Sequence, residues 1–202
     1  MKELVLIVDT REQRPFQFQG FPCSIVRAAL PAGDYSLPGF EDEISIERKS
    51  LDDLVNCLCH DRERFERELA KLRTLQVVAV VVEAPWAALA SGHYRSRMHP
   101  NAALETVSAF MVRYRVPFLF VENRAAAERL TYSILSKYAR EIRRRAERLE
   151  QITATRGEKP SWRGDSGSNS HDLEATHVRY GLRKKNRAGF QEGPMPRLPR
   201  NS

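Results

Sequence analysis

The chain has 202 residues and a formal net charge of +7, a length that suits one ordinary domain with a real core. Residues 151–202 hold ten Lys/Arg against five Asp/Glu and the first 150 hold 23 against 21, so the body is not a broadly basic nucleic-acid wrapper and any polyanion contact there must be local. Three cysteines argue against a disulfide framework, the early acids argue against a signal peptide, and no apolar run approaches a membrane span, so a soluble intracellular protein is expected.

Leu4 to Val8 is a β-branched apolar run ending at Asp9 and reads as a buried strand. Residues 10–22 hold Pro15, Gly20 and Pro22 and read as a loop. Cys23 to Leu30 is a second strand candidate, Pro31–Asp34 a turn, and Tyr35–Leu37 an extended piece before the Pro38-Gly39 turn. Ile44 to Lys49 is the next strand, and Ser50, with Asp53 three residues on, is a helix N-cap. The segment DRERFERELAKLR has apolar residues at 65, 69 and 72, the spacing of one helical face. Val77 to Val82 reads as a central strand. A short helix at 85–90 is broken at Gly92, a loop covers 93–100, Asn101 caps a helix to about Tyr114, Pro117 to Val121 is a strand, and a long helix starts at Asn123 or Arg124. Alternating strands and helices predict an α/β domain with a mixed central sheet flanked by helices. Two parts of the chain follow: a folded body, residues 1–150, and a basic, low-complexity tail, residues 151–202, expected to be disordered. The run Arg183–Arg187 in that tail either touches nucleic acid or is simply solvated.

One stretch stands apart. Ile44-Ser45-Ile46 ends in Glu47-Arg48-Lys49, an acid and two bases on the end of a buried strand. Side chains alternate faces along a strand, so Glu47 and Lys49 share one face and Arg48 takes the other. Asp34, thirteen residues earlier at a turn, meets Glu47 if the two segments form a bent hairpin. Two carboxylates beside a lysine suit phosphodiester chemistry: the acids hold a hard divalent cation, and cation and lysine stabilise charge on the phosphate. Asp9 and Glu12, in Asp9-Thr10-Arg11-Glu12, are placed to join, and Arg11 and Arg48 suit bidentate phosphate contact. An ordinary salt-bridged strand end is the competing reading. Cys57, Cys59 and His60 have poor zinc spacing and read as helix residues. His60, His93 and His99 read as incidental, and Trp86 as core.

The set VDTRE (8–12), GDY (33–35) and IERKSLDDL (46–54) resembles the XPF-type structure-specific endonuclease family, whose motif runs Gly-Asp, a variable spacer, Glu-Arg-Lys, three residues and Asp. Here these are Gly33-Asp34, Glu47-Arg48-Lys49 and, last, Asp53, and likeness continues more weakly to about residue 140. The resemblance implies a restriction-endonuclease-like core and Mg²⁺-dependent cleavage of DNA, with Mn²⁺ as a substitute, on branched substrates such as flaps, forks and junctions. It implies a catalytic set of Asp9, Arg11, Glu12, Asp34, Glu47, Arg48 and Lys49. Asp34 and Glu47 would be the principal metal ligands, supported by Asp9 and Glu12. Asp53 would position the helix start, and Arg62 or Arg64 would touch the DNA backbone or be solvated.

Family members usually carry a tandem helix-hairpin-helix module after the nuclease domain, and no such pattern follows residue 140 here. A stand-alone nuclease of bacterial or phage type is therefore expected, cytoplasmic and nucleoid-associated, acting in repair, recombination or phage DNA processing. It would draw DNA-binding help from an accessory protein or a second copy. A homodimer would use residues 101–140, with Phe110, Met111, Tyr114, Phe118, Tyr132, Ile134 and Leu135 as apolar surface. The alternative is a non-catalytic DNA-binding or scaffold subunit. All four acids and Lys49 are present, which favours activity.

Overall fold

The computed structural model describes residues 3–155. The Arg183–Arg187 run and nearly all of the expected tail lie outside the described residues. Six strands form one sheet: β1 (Leu4–Asp9), β2 (Cys23–Ala28), β3 (Tyr35–Ser36), β4 (Ile44–Lys49), β5 (Val77–Val82) and β6 (Phe118–Phe120). Their order is β2-β1-β3-β4-β5-β6. β3 pairs antiparallel with both β1 and β4, and the remaining pairings are parallel. The sheet is mixed, as expected, with β3 alone running against the rest. The C-terminal ends of β1, β4 and β5 therefore point to one edge of the sheet, and the N-terminal start of β3 lies at that same edge. Asp9, Lys49 and Asp34 are brought there by topology, not by nearness in sequence.

Helices cover both faces. On one side Leu54, Val55 and Leu58 of α1 (Leu51–Cys59) pack with Phe65, Leu69 and Leu72 of α2 (Arg62–Leu72) and with α4 (Pro100–Tyr114) against Val80 and Val82. The three apolar positions singled out in DRERFERELAKLR are all buried. On the other side Ala127 and Leu135 of α5 (Arg124–Thr155) pack over Leu6, Val8, Ile46 and Val81. The loop 10–22 adds to this second core: Phe16 and Phe18 are buried against Tyr35, whose hydroxyl accepts from Phe16 N at 2.9 Å.

Capping explains where helices begin. Ser50 Oγ accepts from Asp53 N at 3.2 Å and donates to Asp53 Oδ2 at 2.6 Å, so α1 starts directly at the end of β4. Asn123 Oδ1 accepts from Ala126 N at 3.0 Å, and α5 starts at Arg124. At α4 the cap is His99, not Asn101. His99 Nδ1 accepts from Asn101 N, and Pro100 takes the first helical position, where its missing N–H costs nothing.

Two other expectations change. Trp86, at the start of α3 (Trp86–Ala90), is 44% exposed and stands edge-on against Phe120 at 4.9 Å, so it is not core. Of the apolar residues put forward for a dimer surface, Phe110, Tyr114, Phe118 and Leu135 are buried in this chain's own cores, while Met111 stays exposed. Among the described residues no helix is long and apolar enough to cross a membrane.

Candidate active site

The turn before β3 fixes the first carboxylate. Gly33 has φ +75°, and a Cβ there would sit 2.1 Å from Ser45 Oγ, so only glycine fits. Ser45 Oγ donates to Ala32 O at 2.7 Å, tying the turn to β4. Asp34 N donates to Ile46 O at 2.9 Å, and Asp34 O accepts from Asp9 N at 2.8 Å. The Asp34 carboxylate then accepts from Arg48 N at 2.7 Å. The bent hairpin inferred from sequence is present, with Tyr35 opposite Ile46.

β4 fixes the second carboxylate. Glu47 and Lys49 leave the strand on one face, and Lys49 Nζ donates to Glu47 Oε1. Glu47 is buried, and its Oε2 has no hydrogen-bond partner. Lys49 Nζ also lies 5.4 Å over the Phe65 ring. Arg48 takes the opposite face, as alternation requires. It is buried between Glu12 Oε2 at 3.4 Å and Glu83 Oε1 at 3.1 Å. Glu83 also pairs with Arg124 at 2.6 Å, and Arg124 lies 4.9 Å over the Phe16 ring. Arg48 is thus committed to a buried network joining β4, β5, α5 and the 10–22 loop.

Asp9 is committed too. Its Oδ1 accepts from Arg11 N and Nε at 2.7 and 2.8 Å, and its Oδ2 accepts from Arg11 Nη2 and Leu30 N at 2.9 and 2.6 Å. Arg11 donates further to Leu30 O at 2.7 Å while staying largely exposed. Asp9 organises the loop and holds Arg11 at the rim.

These residues line one open cleft of about 630 Å³, floored by Asp34, Glu47, Lys49 and Cys57 and walled on one side by Arg64, Glu68 and Lys71 of α2. Asp9, Arg11, Glu12, Arg48 and Asp53 also border it. Arg64 is at the cleft and Arg62 is not. Arg62 pairs with Glu66 at 3.0 Å and lies 5.1 Å over the Phe110 ring. Residues two positions apart on a helix stand about 200° apart around its axis, so 62 and 64 cannot share a face.

Glu68 escaped the sequence reading, although its signal was there. Positions 64, 68 and 71 recur at helical spacing on the face next to 65, 69 and 72, about 100° round the helix. Glu68 makes no ion pair among the described residues, yet its charge acts on Asp34, Glu47 and Lys49 together. Glu83 was missed because its place depends on the parallel β4–β5 register, which puts Lys49 opposite Val82.

The electrostatics set the floor of the cleft apart. Burial pushes Asp34 up from 3.8 to about 7, helped by Glu12 and Glu68 and opposed by the Arg48 N–H and Lys49. Burial, and then the charge of Asp34, raises Glu47 well above the usual carboxylate range. Burial disfavours the Lys49 ammonium, but Glu47 outweighs it and holds Lys49 above an ordinary lysine. At Asp9 burial is outweighed by Arg11 and the backbone N–H donors, and the carboxyl is held low. So Asp9 is satisfied by protein, whereas Asp34 and Glu47 stay raised although Lys49 is beside them.

That pair fits a divalent cation. Two neighbouring carboxylates, one with an oxygen free of protein donors, face a cleft open to water. Among the described residues no three His, Cys, Asp or Glu side chains are close enough to hold a metal ion by themselves. The four acids do not form a closed cage, so a cation held there would have to keep waters or take further oxygens from a bound phosphate.

The model of the ERCC4 domain matches residues 8–134. The chain belongs to the ERCC4 domain family. Two solved structures of XPF from Aeropyrum pernix share the fold of this ERCC4 domain. One covers 75% of this chain and 73% of its own at 21% identity and TM-score 0.55. The other, in complex with DNA, covers 68% of this chain and 66% of its own at 22% identity and TM-score 0.55. No curated protein matches the chain. The restriction-endonuclease-like core expected from the resemblance is the fold observed.

Proposed function

We propose that this chain is a metal-dependent DNA endonuclease that hydrolyses phosphodiester bonds, with branched DNA as its preferred substrate. One observation carries the reading: Asp34, Glu47 and Lys49 line the same cleft, Lys49 pairs with Glu47 Oε1, and Glu47 Oε2 is buried without a protein partner. Buried polar atoms usually find a partner, so an unpartnered carboxylate oxygen lining the cleft favours a site that takes a cation. Membership of the ERCC4 domain family and the fold shared with XPF, one example of which is in complex with DNA, support the same reading.

Asp34 and Glu47 would hold Mg²⁺, or Mn²⁺ in its place. Bound there, the ion supplies positive charge for the phosphate in the transition state and acidifies water. The chain's own residues do the rest. The Arg48 N–H fixes the Asp34 carboxylate, and Lys49, steered by Glu47, places an ammonium where a non-bridging phosphate oxygen gathers charge. Arg64 and Lys71 on one wall and Arg11 at the rim hold flanking phosphates. Asp9, Glu12 and Asp53 act through Arg11, Arg48 and the start of α1, as positioning residues.

The test is cleavage of labelled flap, fork, Holliday-junction, single-stranded and linear duplex DNA, with Mg²⁺, Mn²⁺ or a chelator. Cutting that needs the metal and favours branched DNA is expected. Pure protein that cuts none of these substrates would overturn the endonuclease reading in favour of a scaffold subunit.

A further inference from the structure

A second cavity, of about 620 Å³, adjoins the cleft along α1 and lies between that helix and the loop 91–99. Asn56 of α1 lines both cavities. The loop follows β5, whose C-terminal end lies at the same sheet edge as Lys49. The two cavities therefore meet at Asn56.

Its charged lining is mainly basic. Arg95, Arg97, His60 and Ser96 line it with a single acid, Asp52. That acid is spoken for: its Oδ1 accepts from Arg95 N at 3.0 Å and its Oδ2 lies 3.6 Å from Arg95 Nε. Arg97 is exposed and makes no hydrogen bond or ion pair among the described residues. The loop is built rather than slack. The Arg95–Asp52 bond ties it to α1, Tyr94 Oη donates to Met98 O at 2.9 Å, and Met98 N donates to Ser96 Oγ at 3.2 Å. Gly92, at φ +74°, lets the chain turn tightly against Pro100.

We propose that this cavity is a second backbone subsite, in which Arg95 and Arg97 hold phosphodiesters of the DNA strand that continues from the cleft over Asn56. The subsite lets the domain grip its substrate over two adjoining faces of α1. This inference rests on the endonuclease reading.

The experiment is fluorescence anisotropy of labelled forked duplex in metal-free buffer across a salt series, comparing wild type with the Arg95→Gln/Arg97→Gln double variant. Arg115→Gln is the control, since Arg115 is exposed and precedes β6 at the opposite edge of the sheet. The double variant should bind about ten-fold more weakly, and its plot of log affinity against log salt should be shallower by about two, near one for each phosphate that is no longer neutralised. The control should keep the wild-type slope. A double variant with wild-type affinity and slope overturns the second subsite and leaves the endonuclease reading intact. Wild type without DNA affinity at any salt overturns both.

Discussion

The backbone N–H of Arg48 donates to the carboxylate of Asp34 at 2.7 Å. The strand that carries Glu47 and Lys49 thus also aims the acid across from them. A side chain bound to backbone cannot drift without moving the sheet, which is how two carboxylates that repel each other stay in one place.

The burial of Asp34, helped by the charges of Glu12 and Glu68, predicts a pH dependence. Asp34 is raised from 3.8 to about 7 in the folded chain, so its contribution to stability is full below its unfolded value and is lost as pH rises through about 7. Metal-free protein should lose about 1–3 kcal/mol between pH 5 and pH 8 by denaturant unfolding. Asp34→Asn should flatten this dependence and stabilise the metal-free protein at pH 8. Added Ca²⁺ should restore stability to wild type and not to the variant.

Glu68 should tune the same transition. It raises both Asp34 and Glu47 through its charge. In metal-free buffer Glu68→Gln should move the midpoint of the stability change to lower pH. Glu63→Gln, on the same helix with its side chain 95% exposed, should leave it in place. The readout is chemical denaturation repeated across a pH series.

Arg48 should matter more to stability than to phosphate binding. It is buried between Glu12 and Glu83, so Arg48→Met leaves the buried Glu12 side chain without its ion-pair partner and Glu83 with Arg124 alone, and should cost about 3–5 kcal/mol. Glu83→Gln weakens the Arg48 and Arg124 pairs together and should cost less, since the amide keeps its packing. Urea unfolding of the two variants gives the comparison. A cost for Arg48→Met below that of an exposed pair, about 1 kcal/mol, would contradict the network.

Gly33→Ala should damage the site through the backbone. The new methyl meets Ser45 Oγ at 2.1 Å in a left-handed conformation. A loss of about 2–4 kcal/mol is expected, the sum of backbone strain and overpacking. Adding Ser45→Ala should recover only part of it, because the φ of +75° and the contact with Ile46 O at 3.3 Å remain. Thermal unfolding of the single and double variants decides the point.

Local periodicity carried most of the fold. Val77–Val82, Ile44–Lys49 and the 65/69/72 stripe each announce their element through one repeating pattern, and the Ser50–Asp53 cap marks the strand-to-helix junction. Phe16 and Phe18 carried no such signal, since a loop has no period, and their burial depends on Tyr35 far along the chain. The pairing of Asp34 with Glu47 was legible as a hairpin. That Asp9 is filled by Arg11 and Leu30 was not, because the Leu30 N–H arrives from 21 residues away. The pattern of acids named a chemistry, and only the contacts separate the acids that are satisfied from those that are not.

The most direct test is Glu47→Gln, which keeps the shape of the side chain and removes the charge of the unpartnered oxygen. Two quantities are measured on one forked substrate: the single-turnover cleavage rate with Mg²⁺, and affinity in metal-free buffer. The account predicts a fall in rate of at least about a hundred-fold, with DNA affinity equal to or above wild type. A variant that cuts at the wild-type rate would contradict the placement of the chemistry at Asp34, Glu47 and Lys49.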